Sequence, residues 1–502
     1  STQAKTLFPY TTLFRSGLPF AEAMLAGLPV IVTAYGGHTD FCTENTAWLV
    51  DYHFSRADNH LGLCDSTWVE PNVDHLAQRM REVRRLSSVE LLPRLENARR
   101  LLVERYSWQS VSDRIDDAIN TLGNAPLFTP EPAIGWISTY NSKCGIATYS
   151  ERLLGSFPSE RVTLLANTDA HLLTNDPDNL VRCWHTGSDC LDLLKKEICD
   201  RSIKATVFQF NYAFMPLPAL AELIRWHYDK KINFYVFLHN THDPSPYVSL
   251  GQIADSLALA SRILVHSIED LNRLKMHGLV NNVTLFPHGV YPASQESPNG
   301  LRDALGMTGK RVIASYGFLL PHKGIKQLLR AFHVLRKKHE DLHLLLVNAC
   351  YPEKKSEEEK LACEKLIVDL DLQESVTFNT RFLSDDDSLA LLGLAELIVY
   401  PYQYTQESAS GAVRMGIAAG RPVVVTPLPI FIDVEDAVIQ LPGIDFEEIA
   451  CGLDGLLGKL SDPSENSSLN TKADLWRKMH QFSSLSQRLL ALIDGSARDV
   501  ER

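Results

Sequence analysis

Short apolar runs alternate with helical patterns over most of the chain. Runs rich in branched and aromatic residues predict buried strands, and apolar residues at helical spacing separate them, as in Leu217–Tyr228. This βαβ rhythm predicts an α/β fold with parallel sheets covered by helices on both faces. The predicted strands are Ile31–Thr33, Ile134–Ser138, Val162–Ala166, Thr206–Phe210, Phe234–Leu238, Arg262–His266, Val283–Phe286, Arg311–Ser315, Leu342–Val347, Val376–Phe378, Leu397–Tyr400 and Val423–Val425.

The stretch Tyr402–Leu428 carries the most informative chemistry. A carboxylate, Glu407, precedes four small residues and a predicted helix over 412–419, which Gly420 ends. Small residues at a helix start let a ligand approach the backbone, and the free N–H groups with the helix dipole favour an anion there. An ordinary loop, helix and strand of an α/β protein explains the same pattern without a ligand.

A second copy of this stretch lies near the start of the chain. Gly17–Thr33 aligns with Ser410–Thr426 without a gap, and Gly27 falls on Gly420, an offset of 420 − 27 = 393 residues. That offset is the size of about two ordinary domains and is too long for a solenoid repeat. The repeat therefore predicts that the chain consists of the tail of one two-domain unit joined to a second, complete unit.

Both copies resemble the Glu-x7-Glu segment of retaining, group 1 (family 4-like) glycosyltransferases, which have the GT-B fold. Glu22–Ile31, EAMLAGLPVI, follows that motif closely, and the resemblance extends over nearly all of 17–494. Each copy departs from the motif once. Phe14 stands where the first glutamate is expected in the first copy, and Met415 replaces the second glutamate in the second copy.

The resemblance implies two doubly wound, Rossmann-like domains that face a cleft, preceded by a partial third domain. Residues 6–16, TLFPYTTLFRS, look like the translation of a sequencing adapter, so we expect the natural N-terminus to be missing. The expected divisions are a non-native segment at 1–16, a truncated C-terminal GT-B domain at 17–123, a linker at 124–132, an acceptor-side domain at 133–296, a nucleotide-sugar domain at 297–475 and a closing helix at 476–495.

One loop carries the cation that the resemblance assigns to the donor diphosphate. Tyr316–Gly324 is similar to a Gly-Arg-Leu-x-x-x-Lys-Gly motif, and its Lys323 and Gly324 match. Phe318 replaces the arginine, and Arg414 is a candidate to compensate for it. Lys323 is expected to stabilise the departing diphosphate. The alternative for a single lysine is a solvated surface charge.

The helix start supplies the other donor contacts that the resemblance implies. Glu407 would hold hydroxyls of the donor sugar, and Ser408, Ser410 and Gly411 would place N–H groups near the phosphates. In relatives a glutamate at the position of Met415 accepts hydrogen bonds from the ribose hydroxyls. A thioether is a poor acceptor for those bonds.

Further candidates follow other strands. Gly145 lies in a loop that relatives use against phosphates, although a glycine needed for a left-handed turn explains it equally well. Arg381 sits where relatives contact the base through backbone groups. His239 ends a strand and would touch the sugar or acceptor, with His242 the lesser candidate; a structurally satisfied histidine is the alternative. No third ligand accompanies this pair in the sequence, so we expect no metal.

Two remaining motifs are expected to be structural. Pro287–Val290 resembles a Pro-Asn-Gly-Val turn that leads into the interdomain linker, with His288 in place of the asparagine. The acidic triplet Asp385–Asp387 contains an Asp-x-Asp pattern found in metal-dependent transferases. Because Ser384 precedes it and apolar residues follow, we interpret it as the capped first turn of a helix.

Composition limits the partners. A formal charge of −12 disfavours nucleic acid, and nine cysteines without metal-type spacing suit reduced thiols in a cytoplasm. No apolar run is long enough to span a bilayer, although peripheral membrane contact remains open.

These features predict a metal-independent hexosyltransferase-like enzyme that moves a sugar from a nucleotide-diphosphate donor to a glycan or lipid-linked acceptor. The resemblance implies retention, a place in bacterial surface polysaccharide synthesis, and no cofactor beyond the nucleotide-sugar co-substrate. One alternative is a degenerate lobe that binds nucleotide or glycan without turnover. Another is a sugar phosphorylase or epimerase of the same architecture.

Overall fold

The computed structural model describes residues 17–57, 66–123, 131–142, 144–169, 172–291, 300–405, 410–460 and 473–500. The chain forms two compact units, residues 1–130 and residues 131–502. Each unit is described by itself below.

The described part of the first unit contains two small sheets and four helices. Strands β1 and β2 pair in parallel, whereas β3 and β4 form an antiparallel pair that the sequence did not predict. Its core includes Met24, Val32 and Leu102. Trp108 and Ile119 of the last helix are exposed. The elements are α1 (Leu18–Leu25), β1 (Ile31–Thr33), β2 (Trp48–Val50), β3 (Tyr52–Arg56), β4 (Thr67–Pro71), α2 (Val73–Arg85), α3 (Ser88–Arg105) and α4 (Trp108–Gly123).

The second unit begins with a sheet of seven parallel strands in the order β11-β10-β9-β8-β5-β6-β7. Four of these strands, β5, β8, β9 and β10, are buried nearly throughout, which explains their continuous apolar sequence. The elements are β5 (Ile134–Ser138), α5 (Gly145–Leu154), β6 (Val162–Asn167), β7 (Leu180–Trp184), α6 (Asp192–Asp200), β8 (Ala205–Phe210), α7 (Leu217–Asp229), β9 (Asn233–Leu238), α8 (Ala254–Leu257), β10 (Arg262–Val265), α9 (Ile268–Met276) and β11 (Val283–Leu285).

A second sheet of six parallel strands follows, in the order β14-β13-β12-β15-β16-β17. That order is the doubly wound Rossmann order. The elements are α10 (Leu301–Ala304), β12 (Arg311–Phe318), α11 (Ile325–Arg336), β13 (Leu342–Ala349), α12 (Lys354–Asp369), β14 (Val376–Asn379), α13 (Asp385–Leu392), β15 (Leu397–Tyr400), α14 (Gly411–Ala418), β16 (Val423–Val425), β17 (Ile439–Gln440), α15 (Phe446–Leu460) and, beyond a further helical stretch at 473–479, α16 (Phe482–Val500).

The last helix returns to the first sheet. Phe482, Leu485 and Leu489 of α16 join the core formed with β5, β8 and β9, and Ser486 Oγ donates a hydrogen bond to the carbonyl of Leu153 at 2.5 Å. The helix that closes the second unit therefore covers the first of its sheets.

The two copies of the repeated stretch have the same local structure. Adding the offset of 393 to the bounds of α1 gives 411–418, which are the bounds of α14. Gly27 and Gly420 both have left-handed backbone, with φ of +75° and +70°, as expected for the residue that ends a helix. The predicted helix over 412–419 is thus correct in place but begins one residue earlier, because the Ser410 side chain caps it.

Candidate functional site

Two loops meet where the strand order of the second sheet reverses. The chain passes from β12 to the neighbouring β13 and returns to β15 on the other side, and ligands of open α/β sheets bind at such a point, beyond the carboxyl ends of the strands. The ammonium of Lys323, after β12, lies 4.2 Å from the centre of the Tyr402 ring, after β15. The Tyr402 hydroxyl lies 3.0 Å from Ser410 Oγ at the start of α14. A cation and the start of a helix therefore both lie at the carboxyl edge of the second sheet.

The backbone around Gly324 fixes the position of the lysine loop. Gly324 has φ of +73°, and a Cβ atom there would lie 1.8 Å from the carbonyl oxygen of Pro401. The amide of Gln403 donates a 2.7 Å hydrogen bond to the carbonyl of His322. Only glycine permits this close approach of the two loops, so the contact with Pro401 explains why a glycine follows Lys323.

The start of α14 is capped and open. Ser410 Oγ accepts a hydrogen bond from the amide of Val413 at 3.4 Å, and a Cβ atom on Gly411 would meet no atom within 4 Å among the described residues. The space beside the Gly411 Cα atom is therefore open among the described residues, and the dipole of a helix favours an anion at its start. Glu407 and Ser408 lie outside the described residues, so their predicted roles stay predictions.

Arg414 and Met415 are both buried, although the sequence suggested that these positions contact the donor. Arg414 is 1% exposed and forms a buried ion pair with Asp433, and it also donates to the carbonyls of Ser410 at 2.8 Å and His288 at 3.4 Å. Its charge is therefore satisfied inside the protein and does not replace the arginine missing at Phe318. Met415 is 3% exposed. Neither side chain offers a surface for a ligand.

An aromatic surface takes the place of the missing arginine. Phe318 is 37% exposed and stacks on Phe382 at 6.1 Å between ring centres with an interplanar angle of 16°. The ring of Tyr351 meets Phe318 edge-on at 5.0 Å. Arg381, the predicted base contact, is exposed next to Phe382, and its amide donates to Asn379 Oδ1 at 3.0 Å. Three aromatic rings thus lie at the carboxyl ends of β12, β13 and β14 and form an apolar surface there.

The acidic triplet is a helix start, as the sequence predicts. Ser384 Oγ accepts a hydrogen bond from the amide of Asp387 at 3.1 Å and caps α13. Asp385 pairs with Arg152 of α5 at 2.5 Å, which links the second sheet to the first. The Asp-x-Asp pattern is thereby accounted for by capping and an ion pair.

Gly145 lies at the carboxyl edge of the first sheet. It is the first residue of α5, and a Cβ atom on it would meet no atom within 4 Å among the described residues. It does not have the left-handed backbone that the turn interpretation requires, so that interpretation is wrong. The open space over its Cα atom suits the approach of a ligand to the helix start.

His239 follows β9 and belongs to a cluster of histidines. Its Nε2 atom lies 2.7 Å from Gln209 Oε1, and its Nδ1 atom lies 3.3 Å from His266 Nε2. His288 completes the cluster, and one ring nitrogen from each of the three lies within 4.8 Å of the others. Burial lowers the pKa of each of the three imidazoles below its usual value, so all three are neutral near pH 7.

The potential metal ligands near His239 are not the residue that its sequence spacing suggests. His242, three positions later, is not in the cluster, whereas His266 and His288 are. The sequence separates these residues by 27 and 22 positions. A signal was nevertheless present, because His239 and His266 directly follow β9 and β10, His288 lies three residues beyond β11, and these three strands neighbour each other in a parallel sheet.

The geometry agrees with comparisons to known proteins. Residues 301–437, which include Lys323 and the start of α14, match the family model of glycosyl transferases group 1. A curated relative, the uncharacterized glycosyltransferase YqgM of Bacillus subtilis (strain 168), is 31% identical over 156 residues. That match spans 31% of this chain and 38% of the relative.

Solved glycosyltransferase structures share the fold. Anabaena HepE in complex with UDP and glucose superimposes with a TM-score of 0.55 at 14% identity, covering 71% of this chain and 98% of that one. Sucrose-phosphate synthase from Thermosynechococcus elongatus gives a TM-score of 0.55 at 15% identity, covering 73% and 99%. The fold is GT-B, and the resemblance to group 1 glycosyltransferases is confirmed. None of the helices in the described ranges has the length and apolar character needed to cross a bilayer.

Proposed function

We propose that the second unit is a glycosyltransferase that transfers a sugar from a nucleotide-diphosphate donor to a glycan or lipid-linked acceptor. The observation that carries this proposal is the meeting of Lys323, Tyr402 and the Ser410 helix start at the reversal point of the second sheet. A diphosphate placed there would lie between an ammonium and the N–H groups of α14. HepE, which has the same fold, is solved with UDP and glucose, so a UDP-sugar is the first donor to test.

The chemistry assigned to these residues is electrostatic. When the bond between the sugar's anomeric carbon and the diphosphate oxygen breaks, negative charge grows on the leaving diphosphate. Lys323 and the N–H groups at the start of α14 stabilise that charge. Glu407 holds the donor-sugar hydroxyls, and His239 contacts the sugar or the acceptor from the first sheet. The acceptor oxygen then bonds to the anomeric carbon and gives its proton to an oxygen of the departing diphosphate, with retention of configuration.

Nucleotide release by the full chain tests the proposal. UDP-, GDP- and ADP-sugars are offered with glycan and lipid-linked acceptors, and the free nucleotide is measured. Turnover by the wild type should fall on the order of 10²–10³-fold in Lys323→Ala. Lys354→Ala is the matched control, because Lys354 is a well-exposed lysine on α12 paired with Glu358. Equal turnover in Lys323→Ala and Lys354→Ala would contradict the assignment.

A second candidate is a lobe that binds nucleotide or glycan without turnover. It is favoured by two departures from the motif, because Phe318 presents an aromatic ring where an arginine is expected and Met415 is buried. Such a lobe would gain thermal stability from a nucleotide while releasing none from any nucleotide sugar. Thermal melting and release assays on the same sample distinguish the two functions.

The biological setting is a proposal as well. We place the enzyme in bacterial surface polysaccharide synthesis, in the cytoplasm or at the inner face of the plasma membrane, with the nucleotide sugar as co-substrate and with no metal required for the transfer. Residues 17–123 would be the tail of a tandem GT-B unit upstream in the intact protein. The matching bounds of α1 and α14 and the shared left-handed glycines support that interpretation.

A further inference from the structure

Three histidines meet at one edge of the first sheet. His239 follows β9, His266 follows β10 and His288 lies just beyond β11, and these strands are neighbours in the order β11-β10-β9. The carboxyl ends of parallel strands lie at the same edge, so the fold gathers residues that are far apart in the chain. Tyr149 of α5 packs against all three rings, with ring centres 5.2, 5.6 and 4.6 Å away, respectively.

Hydrogen bonds fix the tautomer of one ring and permit the matching tautomer of another. His266 Nδ1 donates to the carbonyl of Phe286 at 3.0 Å, so a neutral His266 carries no hydrogen on Nε2. His239 Nε2 lies 2.7 Å from Gln209 Oε1, and when it donates to that oxygen His239 Nδ1 also carries no hydrogen. His239 Nδ1 and His266 Nε2 are 3.3 Å apart. In this tautomer two lone pairs face each other, which is the arrangement that a shared cation requires.

The separation of these nitrogens fits a tetrahedral metal. Zinc binds histidine nitrogen at about 2.0–2.1 Å, which places two ligands of a tetrahedron roughly 3.3–3.4 Å apart. The remaining N–H groups of metal-bound histidines are usually held by a carbonyl or another oxygen, as those of His239 and His266 are here. His288 Nδ1 is buried and has no hydrogen-bond partner among the described residues.

The surrounding charges permit a cation. Arg414 is a positive side chain beside the cluster, since it donates to the carbonyl of His288, and its ion pair with Asp433 offsets its charge. The other Asp433 oxygen, Oδ1, is buried and has no hydrogen-bond partner in the described ranges.

We propose that His239, His266 and His288 bind one divalent transition-metal ion, with zinc as the best fit to nitrogen ligands and to the 3.3 Å spacing of the His239–His266 pair. Three histidines and one open position form the ligand set. The ion would tie the turn Pro287–Val290, which leads toward the second sheet, to the ends of β9 and β10. This inference competes with the sugar- or acceptor-contacting role proposed for His239, because the ion would take its Nδ1 atom while Gln209 holds its Nε2 atom. It does not depend on the other parts of the proposed transfer reaction.

Metal binding by the full chain tests the inference. After treatment with a chelator and its removal, the protein is titrated with Zn²⁺ by calorimetry and with Co²⁺ by visible absorption. One equivalent of Zn²⁺ should bind, and Co²⁺ should give the strong visible bands of tetrahedral coordination. His288→Asn should weaken Zn²⁺ binding at least ~10-fold, since even loss of a second-shell group costs that much. His266→Gln should do the same.

His242→Ala is the matched control. His242 lies three residues after His239 in the same loop but outside the cluster, so its loss should leave Zn²⁺ affinity unchanged. Circular dichroism and melting without metal show whether each variant folds, and the wild-type Co²⁺ spectrum needs no variant. The inference is overturned if the wild type binds no Zn²⁺, if its Co²⁺ spectrum is octahedral, or if His242→Ala weakens binding as much as His288→Asn.

Discussion

The ammonium of Lys323 lies over the ring of Tyr402, 4.2 Å from its centre, although 79 residues separate the two in the chain. The tyrosine hydroxyl is in turn 3.0 Å from Ser410 Oγ, which caps α14. The strand order β12-β15 brings these residues together, because both loops leave adjacent carboxyl ends. One aromatic side chain thus joins the lysine to the helix start.

Loss of the Tyr402 ring should weaken donor binding by releasing Lys323. A cation–π contact contributes about 0.5–2 kcal/mol, so Tyr402→Leu should raise the Kd for a nucleoside diphosphate by roughly 2–30-fold. Tyr402→Phe keeps the ring and should have the smaller effect. Calorimetric titration of the two variants measures the difference. Equal affinities would show that the ring does not position the lysine.

Substitution of Gly324 should disturb both stability and binding. Gly324→Ala combines a left-handed backbone with a Cβ atom 1.8 Å from the Pro401 carbonyl oxygen, so the loop that carries Lys323 must move. Gly309→Ala is the control, because Gly309 has φ of +71° but no atom within 4 Å of its Cβ position. The control should cost about 1 kcal/mol from backbone strain alone. Melting and nucleotide titration should show a larger loss of both properties for Gly324→Ala.

Removal of Arg414 should destabilise the second unit strongly. Arg414→Met leaves Asp433 buried without its cation, which typically costs about 3–5 kcal/mol. The double variant Arg414→Met with Asp433→Leu removes both charges and should recover much of that loss. Denaturant midpoints of the single and double variants measure the coupling. A double variant that is no more stable than Arg414→Met would show that the ion pair is not the reason for the loss.

Acid should destabilise the protein through buried His227. Burial lowers the pKa of His227 from 6.5 to about 4 in the folded state, so the unfolded state binds the proton more readily. Stability is therefore intact above pH 6.5 and falls as the pH drops from 6.5 toward 4, by up to ~3 kcal/mol from this group. The melting temperature of His227→Phe should fall less over this range than that of the wild type. Parallel curves would contradict this assignment.

The strands that build the site could be predicted because they are buried on both faces. Leu397–Tyr400 and Val423–Val425 have the predicted bounds, since continuous apolar runs of that length are typical of parallel strands. β7, Leu180–Trp184, was missed. It is an edge strand interrupted by Arg182, whose guanidinium pairs with Asp176, so its sequence shows no continuous apolar run.

Side-chain partners were harder to predict than strands. Lys323 and Ser410 come from matched motifs, and the fold brings both to one edge. The role suggested for Arg414 failed, because its partner Asp433 is set by packing and nothing in the spacing of the two residues reveals the pair. The histidine cluster likewise depends on the strand order of the first sheet, which the sequence alone did not provide.

Calorimetric binding of UDP, GDP and ADP to the wild type, Lys323→Ala and Lys354→Ala tests the central claim most directly. The claim is that the Lys323 loop and the start of α14 together hold a nucleoside diphosphate. At least one of the three nucleotides should bind the wild type and Lys354→Ala equally, and its affinity for Lys323→Ala should be at least ~10-fold weaker, as expected for loss of a charged contact of about 1.5–3 kcal/mol. Binding of none of them, or binding to Lys323→Ala as tight as to the wild type, would contradict the account.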